Sequence, residues 1–365
     1  MSFFTRAHLV LPVPQYLTLP SVGVDISDTS LKYIQFAPGQ YGLRLTQWGD
    51  IDIKPETVTR GALLKPQQLT EALVEMRTRT NTSYVRISLP EERAYLFETE
   101  VKRNLSYKEI RGALEFRLEE NVPLSPRDAF FDYEVIETTD ASAPLKVSVT
   151  VYARETIMGY YEAALAAGLI PLSFEVEAAA IARASLPVHD TGTHMIIDFG
   201  KTRTGVGIVH RGSLMYTSTI DIGGKELSAA LRAELGDMPE SELTTLKNTI
   251  GLLPSIEQPL VSRILQTEMQ SIITELKMRI QYWNSHTSAL PEHAIRSVVL
   301  CGGSSNLKGL PGFIANQTGI EANRSAVWSN AFSLDDQLPP IDIRHSYGYA
   351  TAIGLALAGH IKFYD

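Results

Sequence analysis

An apolar stretch that ends in a polar turn and returns as a second apolar stretch occurs twice along the chain. The first copy reads VGVDISDT at residues 22–29, and its returning strand lies at 31–36. The second copy reads MIIDFGKT at 195–202, with its return at 205–209. Each strand ends in Asp, followed by one apolar residue, a small residue and a polar pair, which is the pattern of a β-hairpin. The copies are too far apart for a solenoid repeat, so we predict a duplicated domain whose two lobes face each other.

The section between the two hairpins has strand and helix patterns of its own. Residues 84–89 are predicted as a strand, and a capping box at Ser106 starts a helix that runs to about residue 120. Residues 146–152 alternate with period two, as a half-buried strand does. A helix from about 155 to 167 ends at a glycine. We therefore predict a small inserted α+β subdomain.

The second half of the chain contains a long amphipathic helix and a glycine-rich turn. Apolar side chains recur every three to four residues and predict a helix from about 257 to 285, with its apolar stripe packed on its own lobe. The run VVLCGGSSN at 298–306 is typical of a buried strand that ends in a turn. The terminal stretch 347–361, rich in Ala and Gly, is predicted as a close-packed helix.

Length and composition indicate more than one folding unit. The chain has 365 residues, of which 44% are hydrophobic, and this exceeds what one core usually supports. We divide it into an N-terminal arm at 1–20, a first lobe at 21–96 with a C-terminal helix at 346–362, an inserted subdomain at 97–170, and a second lobe at 171–345 that includes a helical subdomain at about 225–290.

Charge and cysteine content exclude several classes of protein. The formal net charge of -8 does not fit a nucleic-acid-binding surface, which needs clustered Lys and Arg. The single cysteine, Cys301, excludes intrachain disulfides and thiolate-rich metal sites, and it favours a reducing compartment such as the cytoplasm. No apolar run reaches the roughly 18 residues that a transmembrane helix needs, so we expect any membrane association to come through a partner.

Side chains suited to a nucleotide phosphate and its Mg²⁺ lie at the turns of both hairpins. Such a site needs backbone N–H groups from tight turns, hydroxyls, a cation, and carboxylates that hold the metal through water. Asp25 and Asp198 end equivalent strands, and facing lobes would bring both carboxylates to one cleft. The other candidates are Ser27, Thr29, Ser30 and Lys32 in the first copy and Gly200, Thr202 and Thr204 in the second. In one copy alone such an Asp is typical of a turn that bonds its own backbone, whereas the ordered pair favours a nucleotide site.

The ordered set resembles the actin/Hsp70/sugar-kinase superfamily over residues 21–360. Residues 25–32 look like its first phosphate loop and 198–204 like its second. The resemblance implies an α/β, actin-like (ribonuclease H-like) two-lobed fold with an inserted small α+β subdomain. It also implies ATP or ADP with Mg²⁺ as cofactors, the metal being held through water by Asp25 and Asp198.

The resemblance extends to further candidate residues for nucleotide binding. Gly302, Gly303 and Ser304 are similar to the adenosine motif of the superfamily. Glu175 lies in a segment that resembles the first connecting helix, where an acidic residue approaches the hydration shell of the metal. Gly223, Gly224, Lys225 and Glu226 resemble a turn and helix start that contact the adenosine. No residue is assigned to orient an attacking water, so no catalytic residue is named.

Residues 105–124 predict a helix that ends in the Pro-Leu turn at 123–124, and an acidic-aromatic strand follows at 132–135. This inserted segment is similar to that of the PilM family of type IV pilus assembly proteins. This resemblance implies a cytoplasmic adaptor that reaches the inner membrane by binding the N-terminal peptide of a bitopic PilN-like protein. The peptide groove would be lined by Leu96, Phe97, Ile110, Leu114 and Val151. Pilus motor ATPases and a second copy of the chain are further candidate partners, and neither nucleic acid nor direct membrane insertion is expected. The alternatives are an FtsA-like cell-division protein and a small-molecule kinase of the same superfamily.

Two positions depart from the superfamily pattern in the first phosphate loop. Ser27 stands where glycine is usual, and acidic Asp28 follows it. A side chain where backbone should approach a phosphate, with a negative charge beside it, is expected to weaken nucleotide binding. We therefore expect a slow ATPase at most.

Overall fold

Two five-stranded sheets with the same connectivity form the frame of the molecule. The computed structural model describes residues 20–40, 42–136, 142–286 and 293–360. In each sheet the central strand is the one that carries the hairpin Asp. It pairs antiparallel with its returning strand on one side and parallel with a later strand on the other. The repeated hairpin is therefore confirmed, and the duplication extends to the whole sheet.

The first lobe is built on one of these sheets. Its strands are β1 (Val22–Ile26), β2 (Ser30–Gly39), β3 (Gly42–Asp52), β6 (Tyr84–Leu89) and β10 (Ile170–Val176), and they lie in the order β10-β6-β1-β2-β3. A short hairpin of β4 (Val58–Thr59) and β5 (Ala62–Leu63) follows β3. The helices that cover the sheet are α1 (Pro66–Thr80), α3 (Arg154–Ala166), α4 (Glu177–Ser185) and α10 (Ala350–Leu357). Its core is one continuous apolar cluster that includes the fully buried Trp328.

The second lobe repeats the plan. Its strands are β11 (Thr193–Phe199), β12 (Thr204–His210), β13 (Ser213–Ile220), β14 (Ile295–Cys301) and β15 (Glu321–Arg324), in the order β13-β12-β11-β14-β15. Its helices are α5 (Gly224–Leu235), α6 (Glu240–Thr249), α7 (Pro259–His286), α8 (Leu310–Thr318) and the short α9 (Ile343–Ser346). The prediction of one long amphipathic helix is confirmed by α7, because its apolar stripe is buried in the core of this lobe.

A small three-stranded sheet with one helix is inserted after β6. It consists of β7 (Ala94–Val101), α2 (Tyr107–Asn121), β8 (Ala129–Ile136) and β9 (Leu145–Ala153), with the strand order β7-β9-β8. The predicted capping box is present, since Ser106 accepts from the backbone of Glu109 while the Glu109 carboxylate accepts from the backbone of Ser106. The module has its own apolar core. It also contacts the second lobe, because Ser148 Oγ donates to the Leu214 carbonyl over 2.6 Å.

The boundaries of the inserted module and of the second lobe differ from the predicted ones. We expected the insert at 97–170 and the second lobe from 171. However, β10 pairs in parallel with β6 of the first sheet, and α3 packs on α1 of the first lobe. The insert therefore comprises β7 to β9, and the second sheet begins at Thr193. Apart from Pro20 at its end, the predicted N-terminal arm lies outside the described residues, as do residues 361–362 of the predicted C-terminal helix.

Candidate functional site

The two hairpins meet at a cleft of about 400 Å³ between the lobes. Most of the candidate residues line it together. The first lobe contributes Asp25, Ser27, Thr29, Ser30 and Lys32, and the second contributes Asp198, Gly200, Thr202, Gly224, Gly302, Gly303 and Ser304. The side chains that the sequence placed at equivalent strand ends thus share one cavity, which follows from the pseudo-symmetric arrangement of the sheets.

The two hairpin aspartates both line the cleft. Asp25 lies across the ladder from Lys32 and accepts a hydrogen bond from Ser88 Oγ over 3.1 Å. Burial raises its pKa, which Lys32 and Ser88 partly offset. Burial and the nearby Asp25 carboxylate together raise the pKa of Asp198 to about 6. Such repulsion between the two carboxylates favours binding of a cation between or beside them.

The first phosphate loop is closed by its own serine. Ser27 Oγ accepts from the backbone N–H of Ser30 over 3.1 Å and donates to the Ser30 carbonyl over 3.0 Å. It also lies 3.4 Å from the backbone nitrogen of Thr29. These N–H groups are the donors that a glycine loop would leave free for a phosphate. The geometry therefore gives a physical reason for weak phosphate binding by this loop.

The negative charge of Asp28 is compensated within the protein. Its carboxylate lies 3.2 Å from the guanidinium of Arg203, which belongs to the opposite loop. Sequence inspection counted Asp28 only as a repulsive charge beside the phosphates. In the structure it is one half of an ion pair that joins the two lobes.

The carbonyl of Gly200 organises the second phosphate loop. It accepts from the backbone N–H of Gly224 over 3.0 Å and from Ser304 Oγ over 2.8 Å. Gly302 adopts a left-handed φ of 84°, and a Cβ there would collide with Asp198 and with the Phe199 carbonyl. The glycines thus allow three segments of the second lobe to close on one another at the cleft.

Five of the predicted site residues do not line the cleft. Thr204 is fully buried and donates to the Ile222 carbonyl over 2.7 Å, so it supports the loop from behind. Gly223 and Glu226 bond to each other, because the Glu226 carboxylate accepts from the Gly223 N–H over 2.8 Å and caps α5. Lys225 contributes its backbone N–H to the Lys201 carbonyl. These residues shape the turn.

The fifth, Glu175, faces a different cavity. It lies in β10, where its carboxylate pairs with Arg183 over 2.6 Å and accepts from Ser173 Oγ over 3.1 Å. The expectation that it approaches the metal is corrected by this position. Glu177, two residues later at the start of α4, lines the cleft instead. The chain direction changes between them, and this change decides which carboxylate enters which cavity.

Arg203 is the most consequential residue that sequence reasoning missed. Besides Asp28, its guanidinium lies 2.6 Å from Glu92 Oε1 and 3.4 Å from Glu177 Oε1. Although burial opposes its charge, these carboxylates, Glu177 foremost, raise its pKa. The sequence signal that could have pointed to Arg203 was its place within KTRT of the second loop. Its partners lie far away in the chain, so they could not be read from that motif.

The acidic side chains around Arg203 outnumber the cations. Burial, with Asp198 and Glu92 nearby, raises the pKa of Glu91 to about 8. Glu91 Oε2 has no hydrogen-bond partner among the described residues. Burial also raises the pKa of Glu177 well above its ordinary range, and Arg203 only partly offsets this. These raised pKa values show that the charged carboxylates are poorly compensated, and a cation bound beside them would favour their charged form.

The cleft lining also includes side chains that were not predicted from the sequence. Lys247 of α6 donates to Ser228 Oγ over 2.6 Å and to Glu240 Oε1 over 3.2 Å, and burial lowers its pKa. Tyr347 and Thr351, from the C-terminal segment, complete the wall. Lys247 reaches the cleft from α6, whereas Tyr347 and Thr351 reach it because the C-terminal segment returns there.

The residues present fit a nucleotide phosphate with Mg²⁺. A Cβ added at Gly303 would touch nothing within 4 Å, so the backbone there borders open space. Lys32 and Arg203 offer positive charge, and Asp25 and Asp198 offer carboxylate oxygens. Among the residues described, no group of three or more His, Cys, Asp or Glu side chains could hold a metal ion. A carboxylate pair suits Mg²⁺, which commonly keeps several waters and takes further ligands from phosphates.

A second cavity, of about 460 Å³, lies between the first lobe and the inserted module, and we call it the groove. Its apolar wall is aromatic and includes Phe130, Phe131, Tyr133, Tyr152 and Phe174. Charged side chains that also line it are Asp132, Glu134, Glu175 and Arg183, and Leu214 of the second lobe contributes from β13.

The predicted lining of the groove is corrected. Ile110, Leu114 and Val151 lie in the core of the inserted module. Phe97 packs against that core and Leu96 against the core of the first lobe. Period-two and helical patterns show which face of a strand or helix is apolar. They do not show whether that face packs in a core or lines a cavity.

Comparisons with known proteins agree with this architecture. A family model described as type IV pilus assembly protein PilM matches residues 23–360. Among solved structures, the PilM-PilN type IV pilus biogenesis complex matches with a TM-score of 0.77 and 18% identity, covering 94% of this chain and 100% of that chain.

Two further solved structures share the fold at lower similarity. MreB5 of Spiroplasma citri bound to AMPPNP has a TM-score of 0.54 and 12% identity, covering 92% of this chain and 95% of that one. The ethanolamine utilization protein EutJ from Carboxydothermus hydrogenoformans has a TM-score of 0.52 and 15% identity, covering 95% and 90%. The actin-like fold expected from the paired hairpins is thus confirmed. Because the family model spans nearly the whole chain, the chain belongs to the PilM family of type IV pilus assembly proteins.

Proposed function

We propose that this protein is an ATP-binding adaptor of the type IV pilus or a related secretion apparatus, and that it binds the N-terminal cytoplasmic peptide of a PilN-like membrane protein. It acts in the cytoplasm and reaches the inner membrane through that partner. None of its helices within the described ranges is long and apolar enough to cross a membrane. The observation that carries the nucleotide half of the proposal is the convergence of Asp25, Asp198 and the Gly302–Gly303 turn on one cleft.

The cleft favours binding over rapid turnover. Ser27 Oγ occupies loop N–H groups that would otherwise face a phosphate. Glu177, the carboxylate at the start of α4, is held in an ion pair with Arg203. The pair occupies Oε1 of this carboxylate, so Arg203 competes with an attacking water for it. We therefore assign ATP a mainly structural role, with hydrolysis slow at most.

The groove supports the partner half of the proposal. Its aromatic wall and its size suit a short extended peptide with apolar side chains. Asp132 and Glu134 add acidic groups to the lining, while Glu175 is paired with Arg183. A peptide with a free amino terminus or basic residues is therefore favoured electrostatically. One solved relative is a PilM–PilN complex, and we place the corresponding peptide in this groove.

Calorimetry tests the two halves separately. Mg-AMPPNP is titrated into the wild-type protein and into Asp198→Asn, which keeps the size of the side chain but removes its charge. We expect at least about a tenfold loss of affinity, equivalent to about 1.4 kcal/mol. The matched control is Asp335→Asn, an exposed position outside both cavities. Equal affinity in all three proteins, or no binding by the wild type, would contradict the nucleotide half.

The peptide half uses a synthetic peptide with the N-terminal cytoplasmic sequence of the PilN-like protein from the same genome. Phe131→Ala removes an aromatic ring from the groove wall and is expected to lower peptide affinity at least tenfold. Affinity for Mg-AMPPNP should stay at the wild-type value, because Phe131 does not line the cleft. Absence of peptide binding by the wild type would exclude this half alone.

A further inference from the structure

Two short stretches of backbone link the surroundings of the cleft to those of the groove. The first is the end of β6 with the 3₁₀ turn that follows, residues 89–92. The second is the passage from β10 into α4, residues 175–177. Leu89 and Glu175 line the groove, whereas Glu177 lines the cleft. The second stretch therefore contributes to both cavities, whereas the first lines the groove and reaches the cleft only through its contacts.

Hydrogen bonds attach the first stretch to the groove wall. The hydroxyl of Tyr152, a buried groove residue, donates to the Pro90 carbonyl over 3.2 Å and lies 3.4 Å from the Leu89 carbonyl. The backbone of Ala178, in the first turn of α4, lies close enough to the Glu91 carboxylate to lower its pKa against the effect of burial. The two stretches thus lie against each other, and the first is bonded to the groove wall.

Ion pairs attach both stretches to the cleft. Glu92, which follows Glu91, lies 2.6 Å from the Arg203 guanidinium, and Glu177 lies 3.4 Å from it. The same guanidinium contacts Asp28 of the first phosphate loop. Neither Glu91 nor Glu92 lines either cavity. Glu92 therefore connects the groove wall to the phosphate loops without touching a ligand in either site.

We propose that the groove and the cleft are thermodynamically coupled through residues 89–92 and Arg203, so that a peptide in the groove tightens nucleotide binding in the cleft and the reverse. This inference rests on the proposed function, because it takes a peptide and a nucleotide as the two ligands. The coupling makes the adaptor report nucleotide occupancy to its membrane partner.

The positive sign follows from shared contacts. The cleft is lined by both lobes, and the groove is lined by the first lobe, the insert and Leu214 of the second lobe. Each ligand therefore stabilises one relative position of the lobes and orders the same connecting stretch. The second ligand then meets a protein that is already ordered, and its binding costs less conformational entropy.

The test is a linkage measurement on the full chain. The dissociation constant of Mg-AMPPNP is measured by calorimetry without and with saturating PilN-like peptide, and that of the peptide without and with saturating Mg-AMPPNP. We expect the two ratios to agree, as reciprocity requires, at about fivefold or more. In Glu92→Gln, which keeps the side-chain size but removes the charge facing Arg203, the ratio should fall below about twofold. The ratio cancels any direct effect of the substitution on one affinity.

Glu98→Gln is the matched control, since it removes an exposed pair with Lys146 in the insert and lies outside both cavities. It should keep the wild-type ratio. If Glu92→Gln does not fold, Tyr152→Phe replaces it, because this variant loses the hydroxyl bonded to Pro90.

Each outcome decides the inference. A wild-type ratio near one, with both ligands bound, overturns the coupling and leaves the proposed function intact. If each ligand weakens the binding of the other, the argument from a shared lobe position is wrong. An unchanged ratio in Glu92→Gln excludes the route through Glu92. Failure of the wild type to bind one ligand removes that half of the proposed function, and the coupling with it.

Discussion

Arg203 is a cation surrounded by carboxylates from separate parts of the chain. Its partners are Asp28 in the first phosphate loop, Glu92 after β6 and Glu177 at the start of α4. Charges this deeply placed lose their hydration, so each depends on its partner for compensation. The arginine therefore does two things at once: it joins the lobes, and it keeps the acidic interior of the cleft stable.

Replacing Arg203 by Met should be strongly destabilising. Met has a similar length but no charge, and it leaves buried carboxylates without compensation. We expect the free energy of unfolding to fall by about 3 kcal/mol or more, measured by urea denaturation at neutral pH. The matched control is Arg60→Met, because Arg60 forms an exposed pair with Asp221 at 3.5 Å, and such pairs contribute at most about 1 kcal/mol. Similar losses in the two variants would contradict the role given to Arg203.

At the scale of elements, the C-terminal helix α10 is held by close backbone packing. It lies between β1 and α4, and it is apolar except for Thr351. A Cβ at Gly354 would collide with the Ala180 carbonyl, and a Cβ at Gly23 would collide with the Ala352 carbonyl. Two helices and a strand can approach this closely only where side chains are absent. The predicted close-packed helix is thus confirmed, with α4 as its partner.

The close approach predicts opposite effects for two glycine substitutions. Gly354→Ala forces α10 away from α4 and should lower the free energy of unfolding by about 2 kcal/mol or more. Gly112→Ala in α2 should raise it by about 0.5 to 1 kcal/mol, because a Cβ there meets nothing within 4 Å and alanine favours helix. Both are measured by urea denaturation. A neutral result for Gly354→Ala would contradict the packing described for α10.

At the scale of the whole molecule, the cleft exists because two copies of one sheet plan face each other. The hairpin aspartates, the glycine turns and the acidic interior belong to different lobes, and none of these sets forms the site alone. A ligand in the cleft therefore contacts both lobes. Its binding energy stabilises their relative position as well as the local loops.

Hydrogen exchange should show this two-lobed contact directly. With saturating Mg-AMPPNP, exchange of backbone amides should slow in residues 25–32 and in residues 198–204 together, because both loops border the ligand. The exposed face of α2 lies far from the cleft lining and should exchange at the same rate with and without ligand. Protection confined to one loop would show that the nucleotide is held by a single lobe.

Local sequence was sufficient for the features that depend on nearby residues. The hairpins with Asp25 and Asp198, the capping box at Ser106 and the long helix α7 follow from periodicity and turn chemistry, whose range is a few residues. The repetition of one pattern then indicated two lobes, and the order of the motifs indicated the family. Most of the predicted site residues line the cleft for this reason, although other residues complete its lining.

Only the tertiary structure decided which side chains share a cavity. Glu175 and Glu177 are two positions apart, yet one faces the groove and the other the cleft, because β10 ends and α4 begins between them. Asp28 is balanced by Arg203, 175 positions away in the chain. The sequence by itself determined the elements and their order. Ion pairs and packing act through space, so contacts between distant residues decided the ion-pair partners, the domain boundaries and the cavity that each charged side chain faces.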